Sequence, residues 1–142
     1  MTKKLLVSLA IVITGSFTIS SCDKYEDGSN YTIYSAKYRL AREWRLIETT
    51  KNGASENNTL ETVDVTYGKK GFYKKVTVTQ TNSTTVSESE VGSWDFNKDK
   101  TKITIATKDD TTAYTILELK ASDLKFREIR GDDQYEFTYI AK

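Results

Sequence analysis

The chain has no histidine and no proline, and its one cysteine is Cys22. Without an imidazole, Ser-His-Asp and Cys-His catalysis and histidine-ligated zinc or haem are excluded. A lone cysteine forms no disulfide within the chain. Neither sign of charge dominates, since 21 Lys and Arg face 20 Asp and Glu, so there is no electrostatic footprint for nucleic acid. No apolar run reaches the roughly 20 residues that span a bilayer. With no nucleophile-and-base pair to assemble, the chain reads as non-enzymatic, leaving only carboxylate or lysine chemistry open. No metal or other cofactor is implied.

What is present begins with an address. Lys3 and Lys4 precede the apolar run Leu5–Ile13, and small or hydroxylated residues lead on to Cys22. That order of basic, apolar and small segments is the layout of an export signal. Ile19-Ser20-Ser21-Cys22 resembles the lipobox of bacterial lipoproteins, in which the cysteine is acylated, palmitate being a typical chain, and becomes the mature N-terminus. The resemblance implies a signal peptide over 1–21, lipidation at Cys22 and a membrane partner reached through that anchor. Removing Met1–Ser21 takes away Lys3 and Lys4 and no acid, which turns the formal charge from +1 to −1. Several acyl chains hold firmly where one holds marginally, at about 0.8 kcal/mol per buried methylene. Asp23, Glu26 and Asp27 then form an acidic cluster similar to the surface-export signal of Bacteroidota lipoproteins. The expectation is outer-membrane residence, with the cell surface favoured over the periplasmic face.

Residues 22–34 read as the acylated Cys22 with a flexible tether, because Gly28-Ser29-Asn30 lies in a polar stretch. From Ser35 to Glu43, Ile33, Lys37, Leu40 and Trp44 fall at helical spacing, as do Tyr34, Tyr38 and Ala41. A short amphipathic helix covering one end of the next unit is predicted.

That unit, 35–142, is β. Thr occurs 21 times and Tyr nine, and both favour a pleated, half-buried surface. Seven turn signals, from Asn52-Gly53 to Gly131-Asp132-Asp133, separate eight strands near 43–50, 61–67, 72–80, 84–96, 101–107, 111–119, 123–130 and 134–141. Val63, Val65 and Tyr67 share a face, as do Phe72, Val76 and Val78, Leu124 and Phe126, and Tyr135, Phe137 and Tyr139. One apolar face and one wet face per strand predict an antiparallel sheet over one core. With no proline to blunt an edge, closure into a barrel would remove the edges.

Gly92-Ser93-Trp94-Asp95-Phe96, Tyr114-Thr115-Ile116-Leu117-Glu118-Leu119, Ser122-Asp123-Leu124-Lys125-Phe126 and the aromatic end Tyr135-Glu136-Phe137-Thr138-Tyr139 follow in an order that resembles the lipocalin-like domains of Bacteroidota lipoproteins. The resemblance spans roughly Trp44 to Lys142, with Arg42-Glu43-Trp44 where lipocalins place Gly-x-Trp. It implies an eight-stranded up-and-down antiparallel barrel preceded by a short helix. Such a barrel is just wide enough to be filled by side chains or to hold one small ligand. Trp94, Tyr114, Phe126, Tyr135, Phe137 and Tyr139 are the candidate lining of a calyx; the same aromatics would equally serve as core.

Other constellations read more plainly. Glu88 and Glu90 share a face: unbroken alternation through Trp94 would aim both inward, whereas a bulge at Gly92 would leave both in water, and the bulge is preferred. Asp95 to Ala106 starts like a calcium loop but has Lys100 at the sixth position and Ala106 at the twelfth, which favours a hairpin turn. Asp110-Thr111-Thr112 resembles a short O-glycosylation sequon of exported Bacteroidota proteins, with Thr111 as acceptor. Lys69, Lys70, Lys74 and Lys75 surround one turn, most simply as a solvated tip. Two functional expectations follow: a barrel that binds a small apolar or amphipathic molecule, or a filled barrel whose surface and Lys51–Thr59 loop bind a protein or glycan partner.

Overall fold

Strands form where β-branched and aromatic residues alternate with polar ones, because each pleat turns successive side chains to opposite faces. The computed structural model describes residues 24–26 and 34–142. Helix α1 is Ala36–Leu40, and the strands are β1 Glu43–Lys51, β2 Ala54–Ser55, β3 Glu61–Tyr67, β4 Phe72–Thr81, β5 Thr84–Phe96, β6 Lys102–Thr107, β7 Thr111–Leu119, β8 Asp123–Arg130 and β9 Asp133–Ala141. The eight longer strands pair antiparallel in chain order, and β1 also pairs with β9, which closes the ring. The two-residue β2 folds back on the end of β1. The result is a closed eight-stranded up-and-down barrel, as expected.

Two register shifts bend the wall, one between Leu46 and Glu48 and one between Ile116 and Glu118. The first turns Ile47 outward. Between β1 and β3, Arg45 makes a bidentate pair with Asp64 at 2.9 and 3.0 Å, and Lys142 reaches the same carboxylate at 2.8 Å. Side chains thus bind β1 and β3 to the end of the chain.

The helix is shorter than the predicted 35–43. Ser35 caps it by accepting from the Tyr38 N–H, and pairing of Glu43 with Thr66 draws the chain into β1. Ala36, Arg39 and Leu40 turn inward, while Tyr34 and Tyr38 stack on each other outside at 4.9 Å between ring centres. The helix seals one end of the barrel. The Trp44 indole N–H donates to the Leu40 carbonyl at 3.0 Å, Arg39 donates to the Leu119 carbonyl, and Arg42 to that of Ala121. Tyr25 is buried with the core and donates to the Lys100 carbonyl at 3.1 Å, and Glu26 pairs with Arg127 at 3.0 Å. The signal peptide, Cys22 and most of the tether lie outside the described residues. Among those described, no helix is long and apolar enough to cross a membrane.

Two expectations about facing are corrected. The Phe72, Val76 and Val78 stripe of β4 points outward, and Phe72 is 48% exposed. Pairing of Tyr73 with Tyr67 and of Lys75 with Val65 places Tyr73, Lys75 and Thr77 inside instead. Secondly, β5 carries no bulge at Gly92. Its register with β4 runs unbroken from Thr84 to Ser93 and continues with β6 from Gly92 to Phe96. Gly92 is there for close approach, since a Cβ on it would lie 2.2 Å from the Ala106 carbonyl oxygen. Glu88 and Glu90 therefore share the inner face with Trp94.

Candidate functional site

The strand ends divide the barrel into two halves. On the helix side, Trp44, Val65, Tyr67, Trp94, Ile103, Ile116, Leu119, Leu124 and Phe126 pack as a buried floor. Edge-on aromatic contacts fix it: Tyr67 to Trp94 at 5.8 Å and Tyr67 to Phe126 at 6.4 Å. Such pairs contribute about 0.5–1.5 kcal/mol each beyond the area they bury.

Above this floor the barrel is open. A cavity of about 250 Å³ is lined by Leu46, Val63, Tyr67, Tyr73, Ile105, Tyr114, Phe126, Phe137 and Tyr139, with Glu61, Lys75, Thr77 and Arg130 at its rim. A second space of about 210 Å³ adjoins it and shares Tyr73, Lys75, Ile105, Tyr114 and Arg130, adding Glu90, Thr107, Asp110, Thr112 and Glu128. The mouth lies at the end away from the helix, where β2 and the Lys51–Thr59 loop also lie.

Of the six predicted lining residues, the structure brings Tyr114, Phe126, Phe137 and Tyr139 together around this cavity. Tyr114 lies 5.7 Å from Phe126 and 6.0 Å from Phe137, and Phe126 lies 6.0 Å from Tyr139. Trp94 and Tyr135 do not join them. Trp94 lies at the closed end, where its indole N–H donates to the Gly68 carbonyl at 3.0 Å and its ring meets Phe96 edge-on at 5.3 Å. Tyr135 sits on the rim beneath two cations, Arg130 at 4.7 Å and Lys51 at 5.5 Å from its ring centre.

Sequence reasoning missed the polar band. Glu128 is 8% exposed, and Arg130 meets it with two hydrogen bonds of 2.6 and 2.7 Å. Both continue the Leu124–Phe126 face at every second residue, which is the signal that places them inward. Lys75 pairs with Glu90 at 3.3 Å across β4 and β5, so the lysines around the β3–β4 turn form no single patch. Lys69 instead lies 5.0 Å over the Tyr38 ring. Nothing in the sequence of β4 announces that its polar face is the inner one.

Burial lifts the phenols of Tyr67, Tyr73 and Tyr139 well above their ordinary value of 10, and raises Tyr114 to about 12. All four stay neutral and offer hydroxyls near neutral pH. Thr112 hydrogen-bonds Tyr114. Among the described residues no such bond reaches Tyr67, Tyr73 or Tyr139.

The calcium-like segment is a hairpin turn: the Asn97 side-chain oxygen accepts from the backbone N–H groups of Thr101 and Lys102, and Lys100 takes a positive φ of 56°. Among the described residues no group of three acidic or cysteine side chains is placed to hold a metal ion. Thr111 is exposed at the start of β7, with its N–H donating to Asp110.

No family model matches the chain, and no curated protein sequence is similar to it. Solved structures are. Japanin from Rhipicephalus appendiculatus, in a crystal form bound to cholesterol, superposes with a TM-score of 0.61 at 8% identity, over 76% of this chain and 79% of japanin. The barrel is lipocalin-like. The bovine lipocalin allergen Bos d 2 gives a TM-score of 0.47 at 9% identity over 73% of each chain, and bovine odorant-binding protein in complex with undecanal gives 0.47 at 9% over 82% and 77%. At these identities the likeness is one of fold alone.

Proposed function

We propose that this chain is an exported, lipid-anchored protein whose lipocalin-like barrel is a non-catalytic binding module for a small amphipathic molecule. The observation that carries the reading is the open cavity of about 250 Å³ between an aromatic floor and a charged rim. Concave, mostly apolar pockets with a few placed polar groups are the usual form of a ligand site. A volume just below the usual range of about 300–1,000 Å³ points to a ligand smaller than a drug-sized molecule. Japanin, which shares the fold, was solved with cholesterol bound, which supports a small lipophilic ligand without naming one. The alternative of a filled barrel that engages a protein or glycan through its surface is disfavoured by the same cavity.

The anchor belongs to the same reading. Cleavage before Cys22 and its acylation would hold the barrel at the outer membrane, with the cell surface favoured by Asp23, Glu26 and Asp27. Two experiments test the halves separately. Native mass spectrometry of Cys22→Ser protein recovered from its own cell type should show a small adduct that is lost on denaturation. A clean unliganded mass from every preparation would move the reading to the surface alternative. Fractionation of the same variant should find it released from the membrane, and retention there would refute lipidation at Cys22.

A further inference from the structure

We infer that the calyx selects small amphiphiles with a cationic, amine-type head over neutral and anionic ones of equal tail. The inference rests on the calyx being the ligand site, and it comes from how the inward charges are spent. Every basic side chain that the register aims into the mouth is already engaged: Lys51 with Asp133 at 2.9 Å, Lys75 with Glu90 at 3.3 Å, and Arg130 with Glu128 at 2.6 Å. A carboxylate head therefore has to break an existing pair. Acids are in surplus instead. Glu61, Glu90, Asp110 and Glu128 line the two joined spaces against Lys75 and Arg130 alone.

Two carboxylates on the inner register have no ion pair among the described residues. Glu61 on β3 and Glu88 on β5 flank β4, where Thr77 is opposite Glu88 and Thr79 opposite Glu61. Both positions are exposed, Glu61 at the rim of the cavity and Glu88 outside its lining. The cavity beneath them supplies what an ammonium group and its tail need. Tyr67, only 2% exposed, and Tyr73 line it with hydroxyls that have no hydrogen-bond partners among the described residues. Leu46, Val63 and Phe137 supply the apolar wall. An anionic head meets the opposite conditions, because the two cations that line the joined spaces, Lys75 and Arg130, are both engaged.

The test is isothermal titration of the full chain, carrying Cys22→Ser, with octylamine, octanol and octanoate. The expected order is amine, then alcohol, then carboxylate, with the amine about tenfold tighter than octanoate, equivalent to about 1.4 kcal/mol. The preference should shrink as salt screens the exposed carboxylates. The Glu61→Gln/Glu88→Gln variant, changed only at exposed positions, should bind octylamine about as weakly as octanol, losing more affinity for octylamine than for octanol. Octanoate binding as tightly as octylamine overturns the inference, as does unchanged amine affinity in the double variant, and either result leaves the calyx reading intact if octanol binds. Failure of all three to bind at millimolar concentration overturns the calyx reading and this inference with it.

Discussion

Replacing Gly92 by alanine tests the unbroken register on which the inward facing of Glu88 and Glu90 depends. The added Cβ would lie 2.2 Å from the Ala106 carbonyl oxygen, 3.0 Å from its carbon and 3.1 Å from the Thr107 Cα. All three are backbone atoms, so no side chain can swing aside; β5 and β6 must part. Overpacking of this kind costs about 1–3 kcal/mol. Loosening one or two neighbouring ladder hydrogen bonds adds about 0.5–1.5 kcal/mol each. Alanine gives back about 0.4–1 kcal/mol by restricting the unfolded chain. The net expectation is a loss of about 2–4 kcal/mol. For a domain of this size that lowers Tm by about 8–16 °C, at about 4 °C per kcal/mol. Urea and thermal unfolding of Gly92→Ala beside Ser93→Ala measure it, because Ser93 is exposed on the outer face and its substitution should stay within about 0.5 kcal/mol. If Gly92→Ala also stays within about 0.5 kcal/mol, the strand is bulged there and the acids do not face the mouth.

Three further outcomes are expected. Trp44→Phe should cost about 1–2 kcal/mol, because the Leu40 carbonyl loses its indole donor at the sealed end, while Trp44→Ala should cost about 3–5 kcal/mol; equal unfolding midpoints for the two variants would show that the hydrogen bond and the packing do not contribute as described. The hydrogen bond from Arg45, followed by that from Lys142, holds the Asp64 carboxyl below its ordinary value of 3.8. Its contribution is fully present above the unfolded value and is lost as pH falls through the lower folded one, so acid unfolding of Asp64→Asn should show a flatter limb below about pH 4; an identical limb counts against the link. At the alkaline end, Tyr67, Tyr73, Tyr114 and Tyr139 are raised by burial, Tyr114 to about 12. Their contribution is full below the ordinary value of 10 and is lost as pH rises through the folded values, so tyrosinate absorbance should rise in two stages, and a single stage near 10 would refute the buried cluster.

Much of the fold was legible. Thr- and Tyr-rich alternation and the seven turns placed eight strands within a residue or two of where they form, because turn chemistry and the two-residue pleat are local properties. The site was legible in part. Tyr114, Phe126, Phe137 and Tyr139 surround the cavity because their strands bury one face along their length. Glu128 and Arg130 carried the same period as Leu124 and Phe126 and were open to the same reading, which their polarity concealed. The facing of β4 was not legible, since its apolar stripe is the outer one. Only pairing with β3 settles it.

The amino-acid sequence by itself determined the eight barrel strands and the exclusion of imidazole chemistry, because each depends on residue type and near neighbours alone. Tertiary structure decided which face of β4 and β5 is inside, that Trp94 serves the sealed end while Tyr135 holds the rim, and that the upper barrel stays open. Those outcomes depend on cross-strand register, in which a one-residue slip exchanges the two faces. For Gly92 the deciding neighbour is the Ala106 carbonyl on the next strand. A bulge and a close approach call for the same glycine, and only the adjoining backbone tells them apart.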